Sequence, residues 1–515
     1  MNNIRFTTIV SAALLSTALV GAAAFAQGDN IDRSATLKFS FVGAPAAYDP
    51  PFAKNQFQES AYTLMVYDTL VRLDEKGNIL PSVAQSWSFS PDRLTLTMKL
   101  RPGMKFSDGS DVNAAAVARS LTRTKKDPAS TLAGQLKSFE SFEASDAATV
   151  VIKLNNADAN VLYPLATSVG MIVSSKALDS GVNLALTPVG SGPYRLVSSG
   201  PQGANYERND DYYDKSQNQF AKASIVPIVN ITARMNALQT GQIDVALAGP
   251  DQWLVIDQMV KSGKFTVRKV LQPNSEPLWM NTKFQPFDNP KVRMAMNLAI
   301  NRDAVSKGLE NGQCEPAGQP LQPGVIGHDP NLKAYPYDVA KAKQLLQEAG
   351  VGPFSFDALV TVQEPLASVG VAMKQQLAAV GITMNIIPTD SSGIRPLFRQ
   401  GKHAAMVHTL SVPAPDAASI IDAIYMSPDN AGGVTPEFAK AVADARTRAV
   451  GSPEREAAYK AVSSMAHDDP HSIVTCWSPV FVVARKGIVG VDKEPFLNAV
   501  PIPDIRTLGS VKSSS

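Results

Sequence analysis

Between residues 354 and 410 the chain alternates strand-like and helix-like stretches in strict order. FSFDALV (354–360) gives way to a helical stretch over 367–380, then ITMNIIP (382–388), a helical stretch over 392–399, and AAMVHTL (404–410). Strands joined through helices do not pair as hairpins. They run parallel through right-handed crossovers, which leaves both sheet faces covered. An α/β fold follows. The same grammar starts upstream with IVPIV (225–229), a helix over 230–240 closed by Gly241, IDVAL (243–247), a helix over 251–260, and FTVRKV (265–270).

Residues 86–100, SWSFSPDRLTLTMKL, read instead as a hairpin turning at Ser90-Pro91-Asp92. The acidic loop that follows invites a cation. A calcium loop needs Asp at positions 1, 3 and 5, Gly at 6 and Glu at 12. Counted from Asp108, position 3 is Ser110, position 6 is Asn113 and position 12 is Arg119. The loop is therefore a turn, and Asn113 is the expected N-cap of a helix through Arg123 with Val117 and Leu121 inward. Pro290, Asn301 and Asp338 open three further helices, the last stopping before Gly350.

At 515 residues the chain exceeds one ordinary domain, and two to four are expected. A net charge of +2 supplies no bulk field for nucleic acid, which is set aside as a partner. Residues 1–5 are a short basic start and 6–20 an apolar stretch shorter than the roughly 20 residues of a membrane span. Ala24-Phe25-Ala26 then matches a signal-peptidase site, so cleavage after Ala26 and export to a periplasm are expected. The two cysteines, Cys314 and Cys476, lie 162 residues apart. An oxidising compartment permits their pairing, and spacing alone leaves it open.

Several stretches in order resemble one family. They are the segment 66–121 beginning VYDTLVRLDEKGN, PVGSGPYRLVS, YERNDDYYD, ITARMNALQTGQIDVAL, LWMNTKFQPFDNPKVRMAMNLAINRDAV and YPYDVAKAKQLLQEAG. Together they resemble the family 5 extracytoplasmic solute-binding proteins of ABC importers, whose members take peptides, nickel complexes, glutathione, opines and some oligosaccharides. The resemblance implies a two-lobed periplasmic-binding-protein fold with an extra β-rich domain. Domain I would comprise 33–78, 188–276 and 478–515, domain II 79–187 and domain III 277–477. The chain would cross between lobes near 272–281 and 476–480, making a hinge. A monomer is expected, working with a membrane permease and its ATPase subunits, with a peptide or peptide-like solute as first expectation. An opine or modified amino acid, an oligosaccharide or a nickel complex is the alternative.

The resemblance also nominates residues. The loop GAPAAYDP would offer Tyr48 and Asp49 to ligand, or form a turn filled by an aromatic plug. In MVHTLSVPAPDAASIIDAIY the family's aromatic position reads His408, with Leu410 near it, and its acidic position reads Ser411. Serine cannot pair with a peptide ammonium as a carboxylate does. Asp416 is a ligand contact or a helix cap. Arg395 and Arg399 would receive an anionic group or remain solvated helix charges. Trp279 and Trp477, at the two crossings, would wall the cleft or pack the hinge. HDDPH (467–471) looks like a metal pair, but Pro470 interrupts any helix there, and neither metal nor cofactor is expected. No G-x-S-x-G, H-E-x-x-H, S-x-x-K or G-x-x-x-x-G-K-[ST] occurs. A non-catalytic receptor is expected, with a periplasmic hydrolase or signalling receptor as rivals.

Overall fold

In the computed structural model, Phe354–Thr361 pairs in parallel with Ile382–Thr389 on one side and Ala405–Val407 on the other, as the alternation requires. The connecting helices are Leu366–Ala378 and Ser391–Phe398. The first turns Val369, Met373 and Leu377 inward. A Cβ on its Gly370 would lie 2.7 Å from Val360 Cγ1, so glycine lets helix and strand close together. The structure describes residues 30–41, 43–45, 47–52, 56–74, 78–409, 417–430, 432–492 and 504–512. The expected cleavage site after Ala26, with Leu410, Ser411 and Asp416, lies outside them. Among the described residues no helix is long and apolar enough to cross a membrane.

The three parallel strands end a larger mixed sheet. Its order, neighbour to neighbour, is Ile382–Thr389, Phe354–Thr361, Ala405–Val407, Phe265–Met280, Ser472–Arg485, Val245–Ala248, Thr36–Phe41, Lys222–Pro227, Gly203–Arg208 and Tyr194–Gly200. Thr36–Phe41 is parallel to both its neighbours. At the centre, Phe265–Met280 and Ser472–Arg485 run antiparallel over their length, from Phe265 opposite Arg485 to Trp279 opposite Ser472. Their register slips between Leu271 and Pro277. The core around Phe39, Tyr62 and Tyr206 takes in Val480, Val482 and Ala484 from one end of this pair, and the core around Met296 and Met373 takes in Leu278, Met280 and Ile473 from the other.

A separate four-stranded antiparallel sheet has the order Ala84–Phe89, Thr95–Leu100, Thr149–Leu154, Phe139–Asp146. Its first two strands are the expected hairpin. Helix Ala114–Lys126 packs on it, burying Val117 and Leu121, and Asn113 Oδ1 accepts from Ala116 N at 2.9 Å as its cap. The Asp108 carboxylate accepts from Ser110 N, Ser110 Oγ and Ser174 Oγ. Those bonds make it a turn-forming residue, in line with the failed calcium spacing.

Helices Pro290–Leu298, Arg302–Leu309 and Val339–Glu348 start where expected, capped by Asn289, Asn301 and Asp338. Cys314 and Cys476 form a disulfide with Cα atoms 5.6 Å apart, which resolves the pairing that spacing left open. It fastens the short strand Glu315–Pro316, paired with Trp477 and Cys476, to strand Ser472–Arg485. In the chain-entropy account, closing so long a loop stabilises the fold by about 5 kcal/mol.

Candidate functional site

In sheets of parallel strands, ligands sit beyond the carboxyl ends, where backbone turns away and side chains from several strands converge. Val407 ends one such strand, and His408 follows it. Trp279, opposite Met406 on the neighbouring strand, donates its Nε1–H to the His408 carbonyl at 3.1 Å. That bond holds the end of the strand. Trp279 is 3% exposed and belongs to the core around Ile421; it is a packing residue that positions His408. The His408 Nδ1 is buried and has no hydrogen-bond partner among the described residues. Burial, and then the nearby Arg395 charge, push its pKa down to about 4, against the pull of Asp429.

Helix Ser391–Phe398 presents Arg395, with Arg399 one turn on. Neither is a free helix charge. Both grip Asp429, whose carboxylate is completely buried. Arg395 donates through Nε at 2.8 Å and through Nη2 to Oδ2. Arg399 donates through Nε to Oδ1 at 2.6 Å and through Nη2 to Oδ2 at 3.2 Å. Two guanidinium groups on one carboxylate leave one net positive charge. The two arginine side chains remain 31% and 43% exposed, so part of each faces outward with donors to spare. Arg395, Arg399, Asp429, Trp279 and His408 thus form one cluster. Asp429 was missed in the sequence because it lies 30 and 34 residues from its partners. The only hint was the Arg pair at i, i+4, which repels unless a counter-charge sits between.

The other nominated residues lie elsewhere. Asp49 is 5% exposed and both its oxygens accept from Arg123, at 2.8 and 2.5 Å. Its carboxylate ties the loop after the first strand to helix Ala114–Lys126. Tyr48 is 2% exposed, its hydroxyl 3.3 Å from that of Tyr206, which donates to the Tyr62 carbonyl. This is the aromatic plug, with the hydroxyl turned into the core. Trp477 packs edge-on against His328 with centroids 5.5 Å apart. Its buried Nε1–H has no partner among the described residues, so it is a donor still to be satisfied. The HDDPH imidazoles part company. His467 Nδ1 meets the Gly318 carbonyl at 2.7 Å and its ring stacks on Tyr335, whereas His471 lies against Asn430 and Asp469. Among the described residues, metal-ligating side chains cluster only at Glu310, Cys314 and Cys476, and there both sulfurs are in the disulfide.

A model of the bacterial extracellular solute-binding proteins, family 5 Middle, matches residues 78–432. The chain belongs to that family. The glutathione-binding protein GsiB of Pectobacterium atrosepticum is 33% identical over 377 residues, covering 70% of each chain. The structure of the ABC transporter-associated periplasmic binding protein DppA from Helicobacter pylori, in complex with the peptide STSA, matches with a TM-score of 0.81. Identity is 24%, covering 94% of this chain and 99% of that one. The binding protein AgaA from A. tumefaciens R10, in complex with agropinic acid, matches with a TM-score of 0.79 at 23% identity, over 93% and 99%. The two-lobed fold expected from the motifs is the fold of these proteins.

In this family 5 protein the buried His408 makes stability pH-dependent. The folded imidazole takes a proton only near pH 4, the unfolded one near the ordinary histidine value of 6.5. The unfolded state therefore binds more protons as the pH falls through 6.5, and stability drops progressively down to about 4. Urea unfolding of His408→Gln across this window is expected to show a flatter profile than the wild type. An equal slope in both would mean that His408 is not the group responsible.

Proposed function

We propose that this protein captures a carboxylate-bearing peptide-like solute, in the class of glutathione and short peptides, and delivers it to an ABC permease. In this reading it works in the periplasm as a monomer, exported with cleavage after Ala26. Its cleft lies between domain III (277–477) and a lobe made of domain I (33–78, 188–276 and 478–515) with domain II (79–187). The observation that carries the reading is the Arg395–Asp429–Arg399 cluster. It keeps one net positive charge, partly exposed, beyond the carboxyl ends of parallel strands and beside a neutral imidazole with an unused nitrogen. A carboxylate is the group that such a fork receives in paired hydrogen bonds. Glutathione and a peptide, the ligands that the names of GsiB and of the DppA complex carry, are of this class. Agropinic acid, the ligand of AgaA, keeps an anionic opine as the second reading.

A solute that binds only the folded form raises the unfolding midpoint, by about 2.7 kcal/mol of stability at 100 times Kd. Thermal unfolding of the mature protein with glutathione, a tetrapeptide, agropinic acid, an oligosaccharide and nickel–histidine is the test. A shift with glutathione or the peptide, reduced at least tenfold in affinity by Arg399→Ala, supports the proposal. Shifts only with the sugar or the nickel complex would overturn it, and a shift only with agropinic acid would move the assignment to the second reading.

A further inference from the structure

The β-rich unit and the helical unit around Ile421 belong to separate cores, yet they touch where the turn Ala159–Val161 meets helix Pro436–Thr447. Arg455 opens helix Pro453–Asp468 and is 1% exposed. Its Nη1 donates to the carbonyls of Ala445 and Arg448, at the end of helix Pro436–Thr447. Its guanidinium also lies over the Tyr459 ring. Those contacts fix the group from within its own unit. Its Nη2 then reaches out of the unit to Asn160 Oδ1 at 2.6 Å, across 295 residues of sequence.

Asn160 is equally well held from its own side. It sits in the single turn Ala159–Val161, where Asp158 Oδ1 accepts from Asn160 N at 2.8 Å and Ser138 Oγ donates to Asp158 Oδ2. Around this bond the two units fit poorly. A cavity of about 320 Å³ separates Ser138, Asn156 and Asp158 from Met426, Val442 and Arg446. A gap of that size, open to solvent, leaves few side chains packed directly across the seam at this point. A charge-assisted bond between two pre-positioned groups spans the seam beside it.

We infer that Arg455 and Asn160 form a closure latch: a contact between the lobes, outside the ligand site, that sets how far the empty protein rests towards its closed form. The inference rests on the two-lobe reading above but not on the identity of the solute. Asn160 is a positioning residue, since it acts on affinity only through the open–closed balance.

The test is small-angle X-ray scattering of the ligand-free wild type, Asn160→Ala and Asn160→Asp, each fitted as a mixture of closed and opened forms. Alanine removes the acceptor; aspartate turns it into an ion-pair partner for Arg455. The closed-to-open ratio is expected to fall about tenfold in the first and rise about tenfold in the second, the scale of a hydrogen bond to a charged group. Cooperative melting confirms that each variant folds, and if one fails, the other against wild type decides. Equal ratios in the two variants, or the reverse order, would overturn the latch. Because no solute is present, the result is independent of whether glutathione or a peptide shifts the melting of the wild type.

Discussion

Arg506→Met is expected to lower the unfolding free energy by about 3–5 kcal/mol, the scale for removing one member of a buried charged network. Arg506 is 4% exposed. Its Nε and Nη2 donate to the two oxygens of Asp504 at 2.7 Å each, and Nη1 lies 3.5 Å from Asp68 Oδ1 and 3.4 Å from the Leu64 carbonyl. Both carboxylates are 2% exposed. Burial works against the Arg506 charge, yet Asp504, with Asp68, holds its pKa above the ordinary value. Burial also raises Asp68 to about 6 despite Arg506 and the hydroxyl of Tyr212. Methionine fills much of the volume but leaves two buried carboxylates facing each other. Asp68 can escape by taking a proton, and without the Arg506 charge the folded variant binds that proton more tightly than the folded wild type does. Lowering the pH from 7 to 5 therefore favours the folded variant, and the deficit should narrow. Urea unfolding at both values checks this. A deficit below 1 kcal/mol at pH 7, or one that widens at pH 5, would sink the account.

Asp429→Ala has the second largest expected effect, a loss of about 2–3 kcal/mol. A fully buried carboxylate between two guanidinium groups would normally be worth more, but Arg395 and Arg399 are partly exposed and recover some hydration when released. What remains is repulsion between two like charges one helical turn apart. Salt screens that repulsion, so the loss should be smaller in 0.5 M salt (roughly a 4 Å screening length) than at low ionic strength. If stability is unchanged at low salt, Asp429 does not organise the cluster. Solute affinity should fall together with stability, since both arginines lose the group that aims them.

The elements that local rules govern were legible from residues alone. Asn113, Asn301 and Asp338 cap their helices because a side-chain acceptor three residues ahead of a backbone N–H needs nothing else from the fold. The parallel order of Phe354–Thr361, Ile382–Thr389 and Ala405–Val407 follows from the helices between them. Helix limits moved by a few residues, as with the stretch read as 392–399 and found at Ser391–Phe398. Partners distant in sequence were not legible. Arg123 occupies Asp49 from 74 residues away, and Asp429 occupies Arg395 and Arg399 from 34 and 30. In each case a charge read as available was already paired, fully for Asp49 and in part for the two arginines, with a group that only the fold brings near. Asn160 and Arg455, 295 residues apart, left no trace in any motif.

The paired strands Phe265–Met280 and Ser472–Arg485 have a mechanical consequence. A two-stranded ribbon is stiff in its own plane, because bending there must stretch one strand and shear the ladder of hydrogen bonds. It yields across its face, where only backbone torsions change. Compliance concentrates where the ladder slips, between Leu271 and Pro277, and the disulfide at Cys476 braces the strand opposite. The ribbon behaves as a leaf spring with one soft direction. Cores are built on both ends of this strip, so the relative movement it resists least is a flexing about a single axis across its face.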